Sequence, residues 1–225
     1  MTLFLLFIKD ICDIFHRLNI KCKLYADDIK LYSCYDVNSS ESNLLVAINR
    51  LYNWSRVWQL QIAVEKCFVC IVSNTRHNNG CTGSSYGINN QTFASVESVR
   101  DLGVPIDCQL KFDKHTAGIV HKAMNRTSLI LKSFHSRNRT LLTKAFITYV
   151  RPLLEYCSPV WSPHCNNLID KIERVQRYFT KSMTGLLNVS YHDRLKILGL
   201  HSLEHRRVNS DSVGLIVLYN IEWTS

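Results

Sequence analysis

Near His115 the hydrophobic period of this chain changes from mixed to helical, and that change dictates the architecture. Downstream, apolar residues recur every three or four positions almost to the end, a pattern that demands packed amphipathic helices. Pro152, Pro159 and Pro163 are expected to divide this region into at least three helices. One of them carries Ile169, Ile172, Val175, Phe179 and Met183 as its apolar stripe. The expected organisation is therefore a mixed segment, residues 1–114, followed by an all-helical segment, residues 115–225.

Upstream of His115 the elements are shorter. Leu6, Phe7, Ile11, Ile14, Phe15 and Leu18 have roughly helical spacing and read as a buried helix. Residues 20–34 switch to two alternating runs around Asp27-Asp28, the pattern of a hairpin. Ser39, Ser40 and Ser42 then offer N-caps to a helix whose apolar positions are Leu44, Leu45, Ile48, Leu51, Tyr52, Trp54 and Val57. The run CFVCIVS within residues 60–73 reads as a core strand, and residues 76–92 read as a loop with a turn at Asn89-Asn90. Short strands resume over residues 96–112, interrupted at Gly103 and Pro105.

Charge divides the chain in the same place. Residues 1–114 hold 12 Lys+Arg against 11 Asp+Glu, whereas residues 115–225 hold 15 against 7. Nearly all of the net +9 thus belongs to the helical half, and it points to an acidic partner, nucleic acid first. The longest apolar stretch, residues 3–8, is far short of the roughly 20 residues of a spanning helix, and no secretory leader is evident. Nine cysteines without a leader fit a reducing intracellular compartment, cytoplasmic or nuclear, where most would serve as small buried hydrophobes.

With Asp27-Asp28 as a two-residue turn, Ala26 lies opposite Ile29, Tyr25 opposite Lys30, Leu24 opposite Leu31 and Lys23 opposite Tyr32. One face is then Leu24, Ala26, Ile29 and Leu31, and the other is Lys23, Tyr25, Lys30 and Tyr32. Adjacent carboxylates repel unless water or a cation lies between them, and Mg²⁺ is commonly held by one or two carboxylates plus substrate phosphates. An isolated Asp-Asp pair also reads simply as a solvated acidic turn.

The pair occurs within LYADDIKLY, residues 24–32, which resembles the YADD box of reverse transcriptases. Residues 3–13, LFLLFIKDICD, resemble the segment preceding that box in non-LTR, LINE-type retrotransposon polymerases of the jockey kind. Trp54-Ser55, Trp58-Gln59-Leu60 and Lys66-Cys67 are similar to the run that ends the palm in those enzymes. Asp101-Leu102-Gly103-Val104, with Ile106-Asp107 and His115, is similar to their primer grip. Residues 149–164, 172–185 and 198–207 resemble the thumb and its continuation.

The resemblance implies an α+β fold in which a partial polymerase palm (helix, YADD hairpin, helix and short strands) precedes a helical, basic thumb. It implies RNA-directed DNA polymerisation on an RNA template from a DNA primer, with deoxynucleoside triphosphates as substrates and Mg²⁺ as cofactor. Asp27 and Asp28 would be metal ligands, and Lys66 would sit near the departing pyrophosphate. An exposed edge lysine is the equal alternative for Lys66. Tyr25, Leu102 and Gly103 would face nucleic acid, although Gly103 also reads as a bulge glycine. The family's site needs a third aspartate on an upstream palm strand, together with fingers. These are expected to lie before Met1, so that this chain alone is expected not to polymerise.

Lys171, Arg174, Arg177 and Lys181 recur along one face of the helix bearing Ile172, Val175 and Phe179, where they would track a phosphate backbone or form an ordinary solvated face. Cys67, Cys70, His77 and Cys81 depart from the usual zinc-knuckle spacing, and a strand would turn Cys67 and Cys70 to opposite sides. Two further classes stand beside the polymerase reading: a non-catalytic, element-derived nucleic-acid-binding protein, and a helical scaffold whose charge serves solubility.

Overall fold

The computed structural model describes residues 6, 8–15, 18, 20–33, 42–72 and 86–210. They are mixed helix and sheet, an α+β composition, arranged as two compact units, Met1–Glu97 and Ser98–Ser225.

In the first unit a 3₁₀ helix, Lys9–Phe15, buries Ile11 and Phe15. Strands β1 (Lys21–Tyr25) and β2 (Asp28–Tyr32) form an antiparallel hairpin. Helix α1 (Ser42–Val57) follows; of its three candidate N-cap serines, Ser39 and Ser40 lie outside the described residues. Its inner face contributes Ala47, Ile48 and Trp54 to the core. Two bonds lock α1 to the 3₁₀ helix: Trp54 Nε1 donates to Asp10 Oδ2 at 3.3 Å, and an Arg50 Nη donates to the Ile14 carbonyl at 3.0 Å.

The CFVCIVS run is a shorter strand than its composition suggests. Among the described residues of this run the paired strand is β3 (Phe68–Val69), and Phe68 is half exposed. A second hairpin, β4 (Gly87–Ile88) and β5 (Gln91–Thr92), closes on Asn89 and Asn90 at φ 52° and 65°, the left-handed values that asparagine tolerates in a primed turn. Strand β6 (Ala94–Ser95) pairs in parallel with β3.

The second unit begins with the hairpin β7 (Ser98–Asp101) and β8 (Val104–Asp107). The division between units falls ahead of the expected boundary after residue 114, because β8 inserts the buried Val104 into the helical core. Helix α2 (Asp113–Ser133) and helix α6 (Asn166–Lys181) pack together, with Ala123, Ile130, Ile172, Val175 and Phe179 buried. Between them run α3 (Arg139–Ala145), a π-helical turn over Phe146–Val150, α4 (Arg151–Glu155) and the short α5 (Ser158–Trp161).

Pro152 does not break this path. It sits in the first turn of α4, directly after the π turn, whose wider spiral relieves the proline ring of its clash with the preceding turn. Pro159 opens α5 and Pro163 follows its end, where the expected breaks do occur.

Helix α7 (Tyr191–Leu198) stops at Gly199 in the left-handed region, φ 63°, and residues 203–210 form a last described helix. The buried Glu173 carboxylate of α6 accepts from the backbone N–H of Leu203 at 3.1 Å and of Glu204 at 3.3 Å, capping that helix from the core. It also accepts from the Tyr191 hydroxyl, and burial together with this bond holds that hydroxyl well above its ordinary pKa.

Candidate functional site

The acidic hairpin pairs Tyr25 with Asp28, Leu24 with Ile29, Lys23 with Lys30, Cys22 with Leu31 and Lys21 with Tyr32. The turn is therefore Ala26-Asp27, one residue earlier than the alternation and the acidic pair suggest. Asp28 is the first residue of β2. Shifting the turn by one residue moves each cross-strand partner by two, and side chains alternate with a period of two, so the faces survive the correction. Leu24, Ile29, Cys22 and Leu31 pack on the core, Leu24 and Ile29 against the cluster of Ile8, Ile11 and Trp54. Lys23, Tyr25, Asp28 and Tyr32 are exposed on the other face.

Ala26 holds φ 52°, a region that alanine rarely enters, at the first of the two turn positions. A hairpin connection of two residues needs left-handed backbone to match strand twist, and no glycine is present to supply it. The strain lies at the tip that projects Asp27, with Asp28 beside it. Both carboxylates are exposed, and among the described residues neither has a hydrogen bond or ion pair. Two adjacent, unpaired carboxylates suit a hard divalent cation that keeps water and phosphate as its other ligands. Among the described residues no group of three or more His, Cys, Asp or Glu converges to complete an all-protein site.

Lys66 ends a 3₁₀ helix, Val64–Lys66, and is exposed. Val64 and Leu31 of the hairpin belong to one hydrophobic cluster with Ile48 and Ile88, so the short helix that ends at Lys66 packs on a cluster that β2 also joins. Asp10, by contrast, is engaged by Trp54.

The remaining sequence candidates belong to the second unit. Leu102 and Gly103, at φ 43° and 88°, are the two turn residues between β7 and β8, so Gly103 is a turn glycine rather than a bulge. The Tyr156 hydroxyl donates to the Leu102 carbonyl at 2.9 Å.

On α6 the four cations are exposed opposite the buried Ile172, Val175 and Phe179, but they are not equivalent. Arg177 contacts Asp170 at 3.3 Å and lies 5.2 Å from the centroid of the Tyr191 ring. Lys171, Arg174 and Lys181 make no such contact among the described residues. Lys171 and Arg174 follow each other at helical spacing, and Lys181 closes the helix.

Cysteine burial departs from expectation. Among the described residues Cys12 and Cys165 are exposed and the other five are partly buried. Burial and the neighbouring Cys12 push the Cys22 thiol up to about 12, which keeps it protonated. His77 and Cys81 of the cysteine-histidine run lie outside the described residues. A concavity in the second unit is lined by Ser136, Arg137, Asn138, Arg139, Thr140 and Thr184. Its only linear signal is the run SRNRT, residues 136–140.

Over 113 residues the chain is 31% identical to "Uncharacterized protein B0403.1" of Caenorhabditis elegans, a match that covers 49% of this chain and 57% of that protein. The chain thus matches little more than half the length of that curated relative. No family model and no solved structure matches the chain. Among the described residues no helix is long and apolar enough to cross a membrane.

Proposed function

We propose that this chain is the part of a non-LTR retrotransposon reverse transcriptase that runs from the YADD hairpin through the thumb. The observation that carries this reading is the hairpin itself: two exposed carboxylates, unpaired among the described residues, at a strained Ala26-Asp27 turn on a ribbon whose apolar face is fastened to a core. Asp27 and Asp28 would hold Mg²⁺ together with substrate phosphates. In the complete enzyme the reaction would be attack of a primer 3′-hydroxyl on the α-phosphate of a deoxynucleoside triphosphate, and a metal held by these carboxylates would supply charge stabilisation to it. Lys66 would meet the leaving pyrophosphate. The turn at Leu102-Gly103 and the cations of α6 would hold template and primer. The described residues supply two carboxylates to this chemistry, and the third ligand would come from an upstream palm.

The test joins the full chain behind the upstream palm and fingers of a related element and measures primer extension on an RNA template with Mg²⁺. Extension abolished by Asp27→Asn supports the reading. Extension by the unjoined chain, itself abolished by Asp27→Asn, refutes the view that the site is incomplete. A joined protein that binds primer-template duplex yet never extends it favours the second reading, a non-catalytic nucleic-acid-binding protein, for which the exposed Lys171, Arg174 and Lys181 speak.

A further inference from the structure

An open concavity of about 560 Å³ lies in the second unit where the loop before α3 meets the loop after α6. The two loops are clamped together. Thr184 donates to the Arg137 carbonyl through both its backbone N–H, at 3.1 Å, and its hydroxyl, at 3.0 Å. Arg139 Nε returns a bond to the Thr184 carbonyl at 2.8 Å. Gly185, at φ 71°, makes room for this arrangement, since a Cβ there would lie 2.6 Å from an Arg139 Nη.

The clamp uses backbone groups, the Thr184 hydroxyl and one guanidinium nitrogen, and leaves strong donors over. Among the described residues Arg137 Nη1 is buried without a hydrogen-bond partner, which is costly for a charged donor. The Arg139 Nη groups likewise have no acceptor among the described residues. Ser136 and Thr140 add hydroxyls to the lining, which contains no carboxylate and no aromatic or aliphatic wall. The exposed Arg139 fork, with Arg137 and these hydroxyl-bearing residues beside it, matches the charge and the hydrogen-bonding capacity of a phosphate group. Without an apolar wall the concavity has nothing on which to stack a base, so it reads the backbone and not the sequence.

We propose that this cup holds one phosphate of a nucleic-acid strand, an assignment that rests on the nucleic-acid-binding reading of the helical unit. Chain continuity supports a strand as the source. Thr184 follows closely on Lys181, the last residue of α6, so the cup lies just beyond the end of the helix that carries the exposed Lys171, Arg174 and Lys181.

The experiment uses the full chain and two variants. Thr140→Glu places a carboxylate in the cup at an exposed position in the first turn of α3, where an acidic residue favours the helix and the fold is retained. Arg139→Gln removes one fork. Inorganic phosphate, compared with chloride at equal ionic strength, should raise the wild-type melting temperature by about 2 °C more than that of Thr140→Glu. The comparison with the variant removes the general stabilisation that phosphate gives by exclusion from protein surfaces. In titrations of a primer-template duplex over several salt concentrations, Arg139→Gln should lower the slope of log affinity against log salt by about one.

Equal phosphate increments in wild type and Thr140→Glu overturn the cup. So does a wild-type duplex slope that Arg139→Gln leaves unchanged, an outcome in which nucleic-acid binding itself survives. Absence of any duplex binding by the wild type refutes that underlying reading, and with it the assignment of the phosphate to a strand.

Discussion

The Tyr156 hydroxyl donates to the Leu102 carbonyl at 2.9 Å and ties the β7–β8 turn to the end of α4. Both turn residues hold left-handed backbone, φ 43° at Leu102 and 88° at Gly103, so the turn needs outside support. Tyr156→Phe should cost about 1 kcal/mol, the net worth of one hydrogen bond. Gly103→Ala should cost at least as much, because alanine does not adopt that φ without strain. Urea denaturation of each variant measures both, and a Tyr156→Phe midpoint equal to wild type would show that the turn stands unaided.

The register of the acidic hairpin makes opposite demands at two neighbouring positions. Ala26 is the left-handed residue, so Ala26→Gly should stabilise by about 1 kcal/mol. Asp28 lies in β2 opposite Tyr25, so Asp28→Gly should destabilise by about the same amount. A turn at Asp27-Asp28 would reverse the benefit of glycine at these two sites. Denaturation midpoints of the pair therefore decide the register.

The cations of α6 should separate in duplex binding. Arg174→Ala should flatten the salt dependence of affinity by about one unit, the effect of one lost phosphate contact. Arg177→Ala should flatten it less, since this guanidinium is already held by Asp170 and stacked on Tyr191. Equal effects in the titration would mean that duplex draws Arg177 out of its present contacts.

His115 is buried against Trp161, its ring 5.0 Å away in an edge-on arrangement, and among the described residues its Nε2 has no hydrogen-bond partner. Burial, and secondarily the positive Lys122, holds its pKa below the ordinary histidine value. The unfolded chain then binds the proton more readily than the folded one. This contribution to stability is complete above about pH 6.5 and is lost as the pH falls below it. Unfolding free energies measured between pH 7 and pH 5 should decline less steeply in His115→Phe than in wild type.

Local pattern determined much of this protein. The 3.6-residue period placed Ile172, Val175 and Phe179 in the core and the cations opposite, because a helix admits no other arrangement of that spacing. The Asn89-Asn90 turn was legible because asparagine is one of the few side chains that accepts a left-handed φ. Alternation likewise settled which face of the acidic hairpin is buried. It did not settle the register, because pairings that differ by two residues bury the same face. The choice fell to tertiary packing, which set Leu24 and Ile29 opposite one another on the Trp54 cluster and left Ala26 to bear the strain. The inequality of Arg177 and Arg174 was decided in the same way, by Asp170 within the helix and Tyr191 from the next. The cup was hidden for a related reason: Arg137 and Arg139 meet Thr184 only once the two loops are clamped, and no local period records a contact between segments so far apart in the chain.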